Sequence, residues 1–142
     1  MNYTTFVLLL AAFGCASAIM GIGRDQAVKV TGQLMCNGKP AVGVKVKLYE
    51  IENIIDTKLD EQYSDESGNF VVEGWKSEIT RIDPRVNIYH RCDYSVPACY
   101  RKVAINIPKN FIASGRKANN PFHIGTLNLA NKFPGESVDC LN

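Results

Sequence analysis

Apolar and polar residues alternate along most of this chain with a period of two, not the 3.6 of a helix. In residues 28–36, Val28, Val30, Leu34 and Cys36 point one way, while Lys29, Thr31 and Gln33 point the other. That is the signature of a half-buried antiparallel strand. Asn37-Gly38-Lys39-Pro40 then supplies turn chemistry, because Asn and Gly tolerate positive φ and Pro cannot donate to a central ladder. Val42, Val44, Val46 and Leu48 share one face and Lys45, Lys47 and Tyr49 the other, so these first two strands are expected to form a hairpin. A weaker strand is expected over Leu59–Tyr63, a turn at Asp65–Asn69, and a strand from Phe70 to Trp75 that stops near Gly74. After Pro84, the residues Val86, Ile88 and His90 oppose Arg85, Asn87, Tyr89 and Arg91. Val103, Ile105 and Ile107 mark another strand, stopped by Pro108. Residues 109–121 read as a long loop with a single helical turn near Phe111. The last strand runs from Phe122 to Ala130, and its apolar parity shifts at Gly125, where a β-bulge is expected. Many short strands separated by turns, with almost no helical pattern, indicate an all-β, Greek-key β-sandwich.

The first residues follow a different rule. Phe6–Phe13 is an apolar run, no charge precedes Arg24, and Ala16-Ser17-Ala18 places small residues where a signal peptidase reads them. This predicts a secretory signal peptide over residues 1–18 and one mature domain over residues 19–142. The run is far short of the roughly 20 apolar residues that span a bilayer, and no later segment is long enough either. The sequon Asn2-Tyr3-Thr4 falls inside the predicted leader. So does Cys15, which turns five cysteines into Cys36, Cys92, Cys99 and Cys140. An even set in a small secreted domain predicts two disulfides, with three possible pairings. Cys92 with Cys99 would close a local loop between strands and leave Cys36 for Cys140. The close Cys pairs of a structural zinc site are absent.

A net charge of +2 is too small for bulk attraction to nucleic acid. It is nevertheless a cancellation. Residues 50–66 hold seven carboxylates against Lys58 alone, whereas residues 76–117 hold nine bases against Glu78, Asp83 and Asp93. Asp56, Asp60, Glu61, Asp65 and Glu66 offer oxygens to a hard cation, but without EF-hand spacing they read as a solvated acidic loop. In the basic half, Arg85, Tyr89 and Arg91 fall on one strand face, with Lys45 and Lys47 on the outer parity of an earlier strand. Arginine interleaved with an aromatic suits carboxylate, phosphate or an anionic lipid headgroup. His90 takes the core parity of its strand and His123 the solvent parity, and neither sits in a nucleophile or metal motif.

An ordered set of segments resembles the nematode transthyretin-like family. It comprises Val30-Thr31-Gly32-Gln33-Leu34-Met35-Cys36-Asn37-Gly38-Lys39-Pro40 with Gly43–Tyr49, then Asp65–Phe70 with Val72-Glu73-Gly74. Pro84–Cys92, Cys99–Pro108, Gly125–Leu129 and the late Cys140 complete it, so the likeness runs from about Val28 to Cys140. The resemblance implies a transthyretin-like (prealbumin-like) sandwich of about seven to eight strands, secretion, no cofactor and a non-enzymatic role. Some members of that family resemble bridging factors for the surfaces of dying cells. The enzymes nearest to this fold, hydroxyisourate hydrolases, end in Tyr-Arg-Gly-Ser, and this chain ends Ser137-Val138-Asp139-Cys140-Leu141-Asn142 instead. The expected partners are thus an extracellular protein receptor or an anionic lipid surface, met by the basic strand face. The alternative is a structural or signalling protein that acts by protein–protein contacts such as edge-strand pairing.

Overall fold

The computed structural model describes residues 22–142. The predicted leader and Cys15 lie outside the described residues. Two five-stranded sheets face each other. The first is built on the long strand β1 (Arg24–Cys36), paired antiparallel along one edge with β5 (Asn69–Glu78). The other edge of β1 is shared out. Its start meets β8 (Ala113–Ser114) and its later part runs parallel to β9 (Phe122–Asn128), while β2 (Lys39–Pro40) continues the β5 edge, where Leu34 accepts from the Ala41 N–H and donates to the Gly68 carbonyl. The second sheet has the order β10 (Ser137–Asp139), β7 (Tyr100–Asn106), β6 (Pro84–His90), β3 (Lys45–Glu50), β4 (Thr57–Tyr63). A single 3₁₀ turn, Lys109–Phe111, follows Pro108.

The period-two reading places the core correctly except at Val42, which lies before β3 begins and is exposed. Val28, Val30, Leu34, Val46, Leu48, Val72, Val86, Ile88 and Leu129 are fully buried, with Phe70, Val103 and Ile107 nearly so. Burying each such side chain contributes about 1.5–3 kcal/mol before the entropy of ordering is charged against it. The bulge is present: Gly125 has φ +84°, and the β1–β9 register slips between Thr31 and Gln33. The strand around Phe70 does not stop at Gly74 but continues to Glu78.

The expected hairpin between the first two long strands does not form. β1 and β3 belong to different sheets. After Cys36 the chain makes only a two-residue return, Lys39–Pro40, and the rest of that β1 edge is taken by β5, from Asn69 opposite Gln33 onward. The chain therefore crosses to the second sheet over residues 41–44. Ser64 fastens the crossing, because its hydroxyl donates to the Ala41 carbonyl (2.6 Å) and accepts from the Val44 N–H (2.9 Å).

The cysteine pairing is also corrected: the bridges are Cys36–Cys92 and Cys99–Cys140. β10 explains the second. It runs antiparallel to β7 with Asp139 opposite Tyr100, so one further step puts Cys140 opposite Cys99, with Cα atoms 4.0 Å apart. The first joins the end of β1 to the residue beyond Arg91 and ties one sheet to the other. The 92–99 loop is held by backbone bonds instead, from Tyr94 N–H to the Arg91 carbonyl and from Cys99 N–H to the Val96 carbonyl. The bridges close loops of 56 and 41 residues, each worth about 4 kcal/mol on the chain-entropy account.

Buried polar groups gather beside the first bridge. Arg101, though charged, is inward and buried, and it donates to the carbonyls of Cys92 (2.9 Å) and Asn131 (2.8 Å) and to both carboxylate oxygens of Glu136. His90 is 2% exposed, as its parity implied, and its Nδ1 accepts from the Cys92 N–H at 3.1 Å. That bond needs a lone pair on Nδ1, so it holds only for neutral imidazole. Burial, reinforced by the neighbouring Arg101 charge, lowers the His90 pKa to about 4, and Glu136 only partly opposes this.

Three outcomes follow from this architecture. A non-reducing digest yields Cys36 linked to Cys92 and Cys99 linked to Cys140, and recovery of Cys36 joined to Cys140 contradicts the fold. Gly68 has φ +80°, and an added Cβ would run into the Leu34 carbonyl oxygen. Gly68→Ala therefore lowers stability by about 2 kcal/mol or more in denaturant titration. His90 takes up a proton more readily when unfolded, with a pKa near the ordinary 6.5, than when folded, near 4. Its contribution is present above pH 6.5 and is lost progressively as pH falls towards 4, up to about 3 kcal/mol in all. In thermal melts, His90→Gln flattens that acid limb relative to the parent, and an unchanged limb refutes the assignment.

Candidate functional site

The outer face of the second sheet collects most of the sequence-predicted site. Strand register puts Lys45, Tyr89 and Lys102 in one row across β3, β6 and β7. Lys47, Asn87 and Ala104 form the next row, then Tyr49, Arg85 and Asn106. β4 adds Glu61 opposite Lys47 and Tyr63 opposite Lys45. The inward parity of the same strands supplies the core residues Val46, Leu48, Val86, Ile88 and Val103. The alternation that builds the core thus also builds this face.

Each predicted residue has a definite setting. Lys45 Nζ donates to the Asn142 side-chain oxygen at 3.2 Å. Lys47 Nζ lies 4.0 Å from Glu61 and 5.0 Å above the Tyr89 ring. Arg85 Nε donates to Asn106 Oδ1 at 2.8 Å. Arg91 lies past the end of β6, donates to the Val96 carbonyl and stacks over Tyr100. Tyr89 departs from the expectation of an aromatic displayed between two arginines. It is 4% exposed, because the Lys47 side chain covers its ring, and burial pushes its hydroxyl up to about 12. The phenol therefore stays protonated at any physiological pH.

Lys102 belongs to the face and was not singled out by sequence reasoning. Its outward parity opposite Val103 was legible, but its place beside Tyr89 is set by pairing between β6 and β7. Other members of the basic segment go elsewhere. Arg101 is buried with Glu136, and Arg81 bonds the Lys109 carbonyl. Arg116 lies on the other sheet, over the Trp75 ring and paired with Asp25. The basic segment is therefore not one patch.

The acidic segment is likewise structured. β4 runs through it, and Asp65 Oδ1 accepts from the N–H groups of Ser67 and Asn69 to close the turn before β5. Asp60 Oδ2 accepts from the Glu73 N–H. Glu50 is buried, accepts from the Asp83 N–H, and has its carboxyl pKa raised by burial. Glu50, Glu52 and Glu78 do converge, and the Lys76 ammonium sits among them, paired with both Glu52 and Glu78.

His123 is exposed on the first sheet, as its parity implied, and hydrogen-bonds the Thr31 hydroxyl. The second sheet also has a hollow of mixed polarity. A cavity of about 340 Å³ opens on its outer face between β3, β6, β7 and the residues after β10. Lys47, Tyr49, Asn87, Tyr89, Lys102 and Asp139 line it. It can hold a polar ligand by ammonium, amide, hydroxyl and carboxylate groups.

Comparison with known proteins agrees with this architecture. The sequence model of the transthyretin-like family, TTR-52, matches residues 31–108, from within β1 to the Pro108 that ends β7's extension. Transthyretin-like protein 5 of Caenorhabditis elegans is 43% identical over 129 residues, covering 89% of this chain and 93% of that protein. Transthyretin-like protein 33 of the same animal is 44% identical over 139 residues, covering 94% and 97%. Transthyretin-like protein 2 is 37% identical over 143 residues, covering 96% and 97%. With the family pattern spread over both sheets of a two-disulfide sandwich, this chain belongs to the transthyretin-like family.

Proposed function

We propose that this chain is a secreted, non-enzymatic binding module that meets an anionic extracellular surface through the outer face of its second sheet. The observation that carries this reading is the register that brings Lys45, Lys47, Arg85 and Lys102 from three adjacent strands onto one face. The rigid sheet fixes their spacing, and their hydrogen bonds to Asn142 and Asn106 leave the positive charge in place. Two disulfides and the leader-like Phe6–Ala18 segment support an extracellular setting. Anionic lipid headgroups and acidic polymers both satisfy such a face.

A protein receptor is the second reading, favoured by the β3–β4 turn. Ile54 and Ile55 are 94% and 74% exposed there, next to Asp56 at the rim of the same face. Exposed isoleucines ringed by carboxylates suit a protein surface better than an anionic bilayer.

The test measures retention of the protein on anionic vesicles, neutral vesicles and an immobilised sulfated polysaccharide, at low and at high salt. Binding to at least one anionic matrix is expected, falling as salt shortens the Debye length below about 10 Å. Lys45→Glu with Arg85→Glu abolishes it. Retention that ignores both matrix charge and salt sinks the reading. If crosslinking of the native protein instead captures a receptor, and Ile54→Asp alone abolishes that capture, the second reading replaces it.

A further inference from the structure

We propose that the cavity on the second sheet is a seat for a single acidic sugar unit, a pyranose bearing a carboxylate or a sulfate. This rests on the anionic-partner reading of the face and narrows the partner to one whose negative groups are carried on hydroxylated rings.

The argument starts from Asn87. It lies mid-strand in β6, is 6% exposed, and its amide nitrogen bonds the Tyr89 hydroxyl at 3.4 Å. Its Oδ1 is buried and has no hydrogen-bond partner. Exchanging the amide oxygen and nitrogen does not remove the problem, since either end can serve the hydroxyl and the other is then left over. A buried polar atom without a partner costs about 1–3 kcal/mol, and Asn87 is one of the residues that line this cavity. A ligand group that donates or accepts there recovers that loss.

The rest of the lining specifies the ligand. Lys102 forms no ion pair among the described residues, and Lys47 is only loosely paired, at 4.0 Å from Glu61. Two ammoniums call for an anionic substituent. Two carboxylates also line the cavity: Asp139 uses one oxygen for the Leu141 N–H at 2.7 Å and Asp56 one for the Glu52 N–H at 3.1 Å, and each keeps the other for a donor on the ligand. A bare phosphate or sulfate would satisfy the lysines, but it would face the Asp139 carboxylate with like charge and ignore the amide. A ligand with an anionic substituent and several hydroxyls satisfies all of these groups. Tyr49 and Tyr89 add phenol edges and hydroxyls to the wall. At about 340 Å³ the cavity lies near the lower end of the usual range of about 300–1,000 Å³, room for one sugar ring.

The experiment follows the amide resonances of the nitrogen-15-labelled protein, including the Asn87 side chain, during titration with four probes. These are glucuronate, glucose 6-sulfate, neutral glucose and inorganic sulfate. Glucuronate or glucose 6-sulfate is expected to shift the Asn87 side-chain resonances and those of β6 and β7, and which one binds better tells carboxylate from sulfate. Glucose and inorganic sulfate are expected to bind about tenfold more weakly or not at all. Asn87→Leu and the surface variant Lys102→Gln each weaken the acidic sugar by about tenfold, and Lys102→Gln keeps the parent spectrum elsewhere.

The proposal is overturned if inorganic sulfate binds as well as the sugars, if the shifts lie outside the cavity, or if Lys102→Gln changes nothing. Phosphatidylglycerol vesicles that bind while both acidic sugars leave Asn87 unmoved also overturn it, and leave the broader anionic-face reading standing. Sugar binding in the cavity with no salt-dependent retention on any matrix overturns that broader reading instead.

Discussion

The sandwich is locked at one residue. Cys92 gives its sulfur to Cys36 at the end of β1, its N–H to His90 on β6, and its carbonyl to Arg101 on β7. Arg101 carries the connection onward to the Asn131 carbonyl and to Glu136, just before β10. One covalent bond between sheets is thus continued by charge-assisted hydrogen bonds that reach the segment capping the second sheet. The arrangement works only with His90 neutral, because a proton on Nδ1 would oppose the Cys92 N–H and add a cation beside Arg101. An arginine with its guanidinium buried is tolerable here because all of its bonds go to fixed acceptors, two carbonyls and a carboxylate.

That lock matters for the outer face. β10 is three residues long and could not hold itself on the sheet edge by ladder bonds alone. The Cys99–Cys140 bridge at one end and the Arg101–Glu136 pair at the other hold it there, and with it Asp139. Asp139 is one of the two carboxylates of the cavity, with Asp56, and Leu141 and Asn142 also line it. The cavity therefore depends on the cysteines through β10, although no sulfur lines it. Lys47 performs a second structural task, since it covers Tyr89 and turns a displayed aromatic into a cavity wall.

Much of this was legible in the sequence. The parity of Val28, Val30 and Leu34, of Val86, Ile88 and His90, and of Val103 predicted the buried faces, because alternation is a local property of a strand. The shift at Gly125 predicted the bulge for the same reason. Pairing is not local. Nothing between Cys36 and Val44 announces that β5, which begins only at Asn69, will occupy that edge of β1, and so the first hairpin was misplaced. The disulfides failed on the same point. Proximity along the chain favoured Cys92 with Cys99, whereas a three-residue β10 with only Val138 as an apolar mark decides where Cys140 lies. Tyr89 had the outward parity expected of it, but its burial comes from a neighbouring strand's lysine, which parity does not reveal.

Charge shows most sharply how sequence and space differ. Along the chain, acids and bases are segregated into residues 50–66 and 76–117. Folding mixes them. β4 carries Glu61 from the acidic segment to Lys47, and Lys58 pairs with the same carboxylate. Lys76 enters the Glu52–Glu78 cluster, and Arg116 leaves for the opposite sheet. What remains on the second sheet is a modest positive excess, with carboxylates placed among the ammoniums. A face of pure positive charge would select for charge density alone. Interleaved donors and acceptors over a small hollow, with one buried amide atom unsatisfied, instead select for a ligand that carries both kinds of group at fixed spacing. Discrimination on such a face comes from leaving its polar groups unpaired with the wrong ligand, and this costs more than weakening a screened attraction.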